Sequence, residues 1–94
     1  MQTNQPRFAL GQVVATPGAL DALLQANQTP FEFLARHIVG DWGELDPQDV
    51  QANEDALQCG ARVLSRYQTT QGVVLWLITE HDRSVTTILL PEEY

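Results

Sequence analysis

Three times in the first half of the chain a helix-capping side chain stands directly before a proline: Thr16-Pro17, Thr29-Pro30 and Asp46-Pro47. A hydroxyl or carboxylate oxygen can accept hydrogen bonds from the free amides of a first helical turn. Proline suits the first helical position, where its missing N–H would have no partner anyway, and is excluded from helix interiors. The pairs therefore fix three helix starts, and no helix can run through any of them. After the first, Ala19, Leu20, Leu23 and Leu24 form an i, i+3, i+4 stripe, and Asn27 is a left-handed stop. After the second, Phe31, Leu34, Ala35 and Ile38 form the stripe, and Gly40 ends it. The third helix is expected to run to about Gln58, with Gly60 past its end and Asp49 in the first turn, where the helix dipole favours an acid.

Around these helices the period is different. Residues 8–15 alternate loosely around Leu10, Val13 and Val14 and read as a first strand. After Gly60, residues 62–68 alternate with Val63, Ser65 and Tyr67 on one side and Arg62, Leu64 and Arg66 on the other. Residues 73–79 and 85–90 are two further strands, separated by turns at 69–72 and 81–84 and stopped by Pro91. Short connections imply antiparallel neighbours. The expected fold is α+β in the order β-α-α-α-β-β-β, an antiparallel sheet with three short helices on one face. The segment 73–78 is apolar on both faces. Three short helices cover only one, and the open face is expected to carry Leu75 and Leu77 with Leu64 and Ile88 alongside. Such a face is a candidate homodimer or partner surface.

With 94 residues there is room for one domain, residues 1–94, in which 1–6 are expected to form a frayed polar arm. A single cysteine, Cys59, excludes an intramolecular disulfide and any multi-cysteine zinc site. The longest apolar run is six residues, far short of the roughly 20 of a membrane helix. Residues 1–8 are polar with no apolar stretch behind them, so no secretory signal is expected. The reading is a soluble, cytoplasmic domain.

Twelve acids against five arginines, with no lysine, give a net charge of −7. Nucleic-acid binding through phosphates needs a basic patch, so direct binding is not expected. Glu32, Asp41, Glu44, Asp46, Asp49, Glu54 and Asp55 fall within 24 residues against Arg36 alone, which gives that window −6 of the −7.

Residues 11–20 (GQVVATPGAL), 36–43 (RHIVGDWG) and 78–94 (ITEHDRSVTTILLPEEY) resemble a group of small uncharacterised proteins of bacterial plasmids, integrative elements and phages. Members are called plasmid-related, and some are labelled type I restriction-modification subunits, although 94 residues leave no room for a methyltransferase or motor domain. The resemblance covers nearly the whole chain. It implies a setting in bacterial mobile DNA and no residue roles.

The most chemically loaded segment is 36–44, which holds Arg36, His37, Asp41, Trp42 and Glu44. It reads either as a polar site, with His37 as base or ligand, or as a helix end whose cations suit the dipole and whose Trp42 fills a gap. His37 and Asp41 are four apart, but Gly40 breaks the helix between them and no H-x-x-x-H is present, so neither metal nor cofactor is expected. Ser65 and Ser84 read as ordinary strand and turn residues. Glu80, Asp82 and Arg83 mark a hairpin, either a stabilised turn or a charged recognition tip. Asn53 interrupts the stripe of Val50 and Leu57, so it needs a polar partner, expected in the Trp42 loop.

The sequence points first to a non-enzymatic module that binds a protein with a basic surface, through Asp41, Glu44, Asp46, Asp49, Glu54 and Asp55. Its sharp form is a counter-defence inhibitor, acting on a restriction or CRISPR complex through carboxylate contacts. The alternative is a small nucleotide- or RNA-directed hydrolase using His37, Asp41, Glu80 and Arg83.

Overall fold

The computed structural model describes residues 5–94, so most of the expected frayed arm lies outside the described residues. The elements are β1 (Gln12–Ala15), α1 (Pro17–Gln25), α2 (Pro30–Ile38), α3 (Pro47–Cys59), β2 (Val63–Gln68), β3 (Val74–Thr79) and β4 (Val85–Leu89), followed by a 3₁₀ turn at Pro91–Glu93. The α+β class and the element order are those read from the sequence. Each cap–proline pair opens a helix. Thr16 Oγ1 accepts from the Ala19 amide at 3.2 Å, and the Asp46 carboxylate accepts from the Asp49 amide at 2.8 Å. At Thr29 the bond runs the other way: its backbone N–H donates to the Glu32 carboxylate at 3.4 Å.

The sheet order is β1-β4-β3-β2. β2, β3 and β4 form the expected antiparallel meander, while β1 lies parallel to β4, so the sheet is mixed. Three helices separate β1 from the meander, and a connection of that length leaves strand direction free in a way that a tight turn does not.

The face assignment of the central strand needs correction. Leu75, Leu77 and Ile88 are fully buried beneath the helices, in one cluster with Leu23, Phe33 and Tyr67. They are not on the open face and offer no partner surface. Of the four residues expected there, only Leu64 lies on that face, with Trp76 and Ile78. The reason is register. Arg66 stands opposite Trp76 and Tyr67 opposite Leu75. A half-exposed Arg66 must face water, and its cross-strand neighbour Trp76 goes with it. Leu75 and Leu77 then turn inward, because side chains alternate along a strand.

β2 is a sheet edge, and its outward backbone groups are closed one by one. Asn53 on α3 accepts from the Leu64 N–H at 3.0 Å and donates to the Leu64 carbonyl at 2.7 Å. This, and not the Trp42 loop, is the partner its place in an apolar stripe demanded. One ladder step further, the Arg66 N–H donates to the Trp42 carbonyl at 3.0 Å and the Arg66 carbonyl accepts from Glu44 N–H at 2.7 Å. Gly43 makes that approach possible, with φ of 78° and no room for a Cβ beside the Arg66 carbonyl. Replacing Asn53 by alanine orphans a backbone donor and an acceptor together. The expected loss is about 1–3 kcal/mol in urea denaturation. A change within the ordinary ~0.5 kcal/mol scatter of surface substitutions contradicts this role.

Candidate functional site

Arg36 and His37 end the same helix and leave it in opposite directions. Arg36 stays at the surface, where its Nε donates to Asp41 Oδ2 at 2.8 Å and its guanidinium lies 4.4 Å from the centre of the Tyr67 ring. The hydrogen bond to Arg36 holds the Asp41 carboxyl below its ordinary range. Both partners are about half exposed (46% and 51%), so the pair contributes little to stability.

His37 enters the core and is fully buried. Its Nδ1 lies 2.6 Å from Ser65 Oγ and its Nε2 lies 2.9 Å from Thr79 Oγ1. Thr79 Oγ1 is 2.7 Å from Thr86 Oγ1, and the Thr86 hydroxyl donates to the Leu10 carbonyl at 2.7 Å. A carbonyl can only accept, which gives the chain a direction. Thr86 spends its proton on Leu10, so Thr79 donates to Thr86. Thr79 must then accept from the Nε2–H of His37, and the remaining nitrogen, Nδ1, accepts from the Ser65 hydroxyl. His37 is thereby the neutral Nε2–H tautomer. Burial, with a further contribution from the nearby Arg83 cation, pushes its pKa down to about 4. The rings of Phe8 and Trp42 meet the imidazole edge-on, at 5.1 and 5.8 Å between centroids.

Ser65 and His37 stand at the distance of a nucleophile and its base. Both are fully buried, however, and the imidazole's other nitrogen meets a threonine where a triad has a carboxylate. Ser65, which reads in the sequence as an ordinary strand residue, is thus a partner of His37, and Thr79 and Thr86 join it with no sequence reading of their own. Their signal was there: they occupy inward positions of three neighbouring strands, and buried hydroxyls need partners.

Three residues of the hydrolase alternative have structural partners of their own. His37 is interior, and Asp41 is held at the surface by Arg36. Arg83, with φ of 60°, folds its guanidinium back under the hairpin. It donates to the carbonyls of Ala61 (2.6 Å), Glu80 (3.0 Å) and Ala56 (3.2 Å) and so closes the C-terminal end of α3. Arg83 is therefore not part of an exposed recognition tip. Asp82 stays at the tip, where its carboxylate accepts from the Ser84 hydroxyl (2.6 Å) and amide (3.1 Å). Those hydrogen bonds hold its pKa down.

The acidic window is less bare than its local count. Arginines from outside it fold onto its acids: Arg7 on Glu54 with contacts of 2.7 and 3.0 Å, and Arg66 on Glu44 at 3.0 Å. Glu54 also accepts from the Trp42 indole at 3.1 Å, which makes it a structural residue. Asp46 is a cap, and Asp55 accepts from Gln51 at 2.9 Å. Asp49 has no side-chain partner among the described residues. It borders a groove of about 360 Å³ on the open sheet face, whose walls include Leu45, Ala52, Leu64, Trp76 and Tyr94. Tyr94 packs edge-on against Trp76 at 5.6 Å, and its hydroxyl accepts from Arg62 at 2.8 Å.

Among the described residues, no three His, Cys, Asp or Glu side chains are grouped to hold a metal ion, and no helix is long and apolar enough to cross a membrane. No family model, curated protein or solved structure matches this chain.

The buried imidazole makes stability depend on pH. An unfolded histidine takes a proton near pH 6.5, whereas His37 in the fold resists until about pH 4. Its contribution is complete above pH 6.5 and is lost as pH falls, because the unfolded chain then binds a proton that the fold does not. The loss approaches about 1.4 kcal/mol per pH unit and reaches about 3 kcal/mol near pH 4. Denaturation midpoints measured between pH 6.5 and 5, above the main carboxylate range, should show this slope in the wild type and lose it in His37→Gln. Equal slopes contradict the assignment.

Proposed function

We propose that this chain is a non-enzymatic binding module whose groove between α3 and the open sheet face takes a basic segment of a partner protein, anchored by an apolar side chain. One observation carries this reading. The concave surface joins an apolar floor to a carboxylate, Asp49, that the fold does not use, while the base is sealed inside. Among the described residues, Asp49 is the one side-chain carboxylate in the lining, and the one cation there, Arg62, is turned to the Tyr94 hydroxyl at 2.8 Å. An apolar pocket with few placed polar groups suits capture of an anchor residue, and the Asp49 carboxylate favours a cation beside it. The resemblance to proteins of plasmids and phages supports a mobile-element setting. Within it, the proposed partner is a basic surface of a host defence complex, and the proposed action is to block that surface.

The carboxylate that matters under this reading is Asp49, whereas Asp41, Glu44 and Glu54 are committed to internal ion pairs. Partners are to be captured from a bacterial extract and each affinity measured again with purified components. Asp49→Lys and Leu64→Asp should each weaken the complex by roughly tenfold or more, while far-UV circular dichroism stays that of the wild type. Affinity should also fall with salt, since exposed charges are screened over about 10 Å at 0.1 M. Salt-insensitive binding that survives both substitutions contradicts the proposal.

A further inference from the structure

The two edges of the sheet differ. On β2, every outward group of Leu64 and Arg66 is paired by Asn53 or by the loop 42–44. On β1 the corresponding groups are free. The Gln12 N–H donates to Ser84 O at 2.9 Å and the Thr16 N–H to Ile88 O at 2.9 Å, so alternate residues from Gln12 to Thr16 bond to β4. Val13 and Ala15, between them, direct their N–H and C=O away from the sheet. Among the described residues no backbone group pairs with these outward amides and carbonyls. An edge left in this state is a template for a further strand.

A second observation says what that strand is. Val13, Val14, Leu20, Leu24 and Phe31 are exposed, and among the described residues the remaining large exposed hydrophobic is Tyr94. The apolar surface left in water is thus concentrated on β1 and the two helices that follow it. Residues 8–31 carry one charged side chain, Asp21, in a chain of net charge −7. The acids lie mainly on other segments, residues 32–55 and 80–94. Along β1 two copies meet as neutral, apolar surfaces.

We infer that β1 pairs with β1 of a second copy across a two-fold axis, joining two four-stranded sheets into one of eight strands. A two-fold axis normal to the sheet makes the new pair antiparallel and the interface isologous. The outward groups set its register. Val13 of each copy exchanges both backbone hydrogen bonds with Ala15 of the other, which makes four bonds. The two Val14 side chains meet on the axis as a non-hydrogen-bonded pair, the more closely spaced of the two pair types. Pro17, which has no N–H, ends the ladder. This surface lies at the opposite edge of the sheet from β2 and its groove, so dimerisation and partner capture fail or succeed separately.

Sedimentation equilibrium over a range of concentrations tests the inference. Val13→Pro deletes an outward N–H and leaves the β1–β4 hydrogen bonds intact, a position where edge strands accept proline. Val14→Lys places a charge at the axis on a side chain that is already exposed. The wild type should be dimeric at high micromolar concentration, and each variant should raise the dissociation constant by roughly tenfold or more while keeping the wild-type far-UV circular dichroism. A monomeric wild type overturns the inference, and so does a dimer that either folded variant leaves intact. Should Val13→Pro unfold, Val14→Lys decides alone.

Discussion

One imidazole ties the helical layer to the sheet. His37 comes from the last turn of α2 and bonds to β2 through Ser65 and to β3 through Thr79; the chain then runs through Thr86 of β4 to the Leu10 carbonyl. A polar group buried without a partner is costly, so a network of this kind stabilises only when every member is satisfied. Here it is: among the described residues no buried side-chain polar atom lacks a partner. Each proton in the chain has one place to go, so α2 has one position over the strands. Apolar packing of Phe33 and Leu34 alone is less particular about where a helix lies.

The saturation that makes the network structural also separates it from the surface. Phe8 and Trp42 close over the ring, and Trp42 is itself held by Glu54, which Arg7 grips from the other side. Three of the acids that looked like a free electrostatic face are thereby spent on internal ion pairs. What remains for contact lies at the two ends of the sheet: a concave, largely apolar surface beside α3 that carries Asp49, and a neutral, apolar edge at β1. They lie at opposite edges of the sheet, so a substitution at one leaves the other in place.

What the sequence made legible was local. Three cap–proline pairs gave three helix starts because the capping bond and the missing N–H act within one turn. Gly60 ended α3 with φ of 75° for the same kind of reason. What it hid was long-range. The run from Val73 to Ile78 is apolar at every position, so alternation alone could not say which side faced the helices. The answer came from Arg66 across the ladder. Arg7 lies 47 residues from its partner Glu54, beyond any local count of charge. Arg83 looked like a hairpin charge and became a helix cap through a left-handed backbone that no spacing rule marks. His37 reads as a helix-end cation because its two hydroxyl partners, Ser65 and Thr79, stand on strands that the sequence places only after the register is known.

The account rests on His37 being a neutral Nε2–H donor sealed in the core, and nitrogen NMR of the imidazole ring reads both properties in one titration. The account predicts that Nε2 carries the proton at neutral pH, with a protected N–H, and that no protonation occurs until pH approaches about 4. A ring that titrates near pH 6.5, as a solvated histidine does, or that carries its proton on Nδ1, contradicts it.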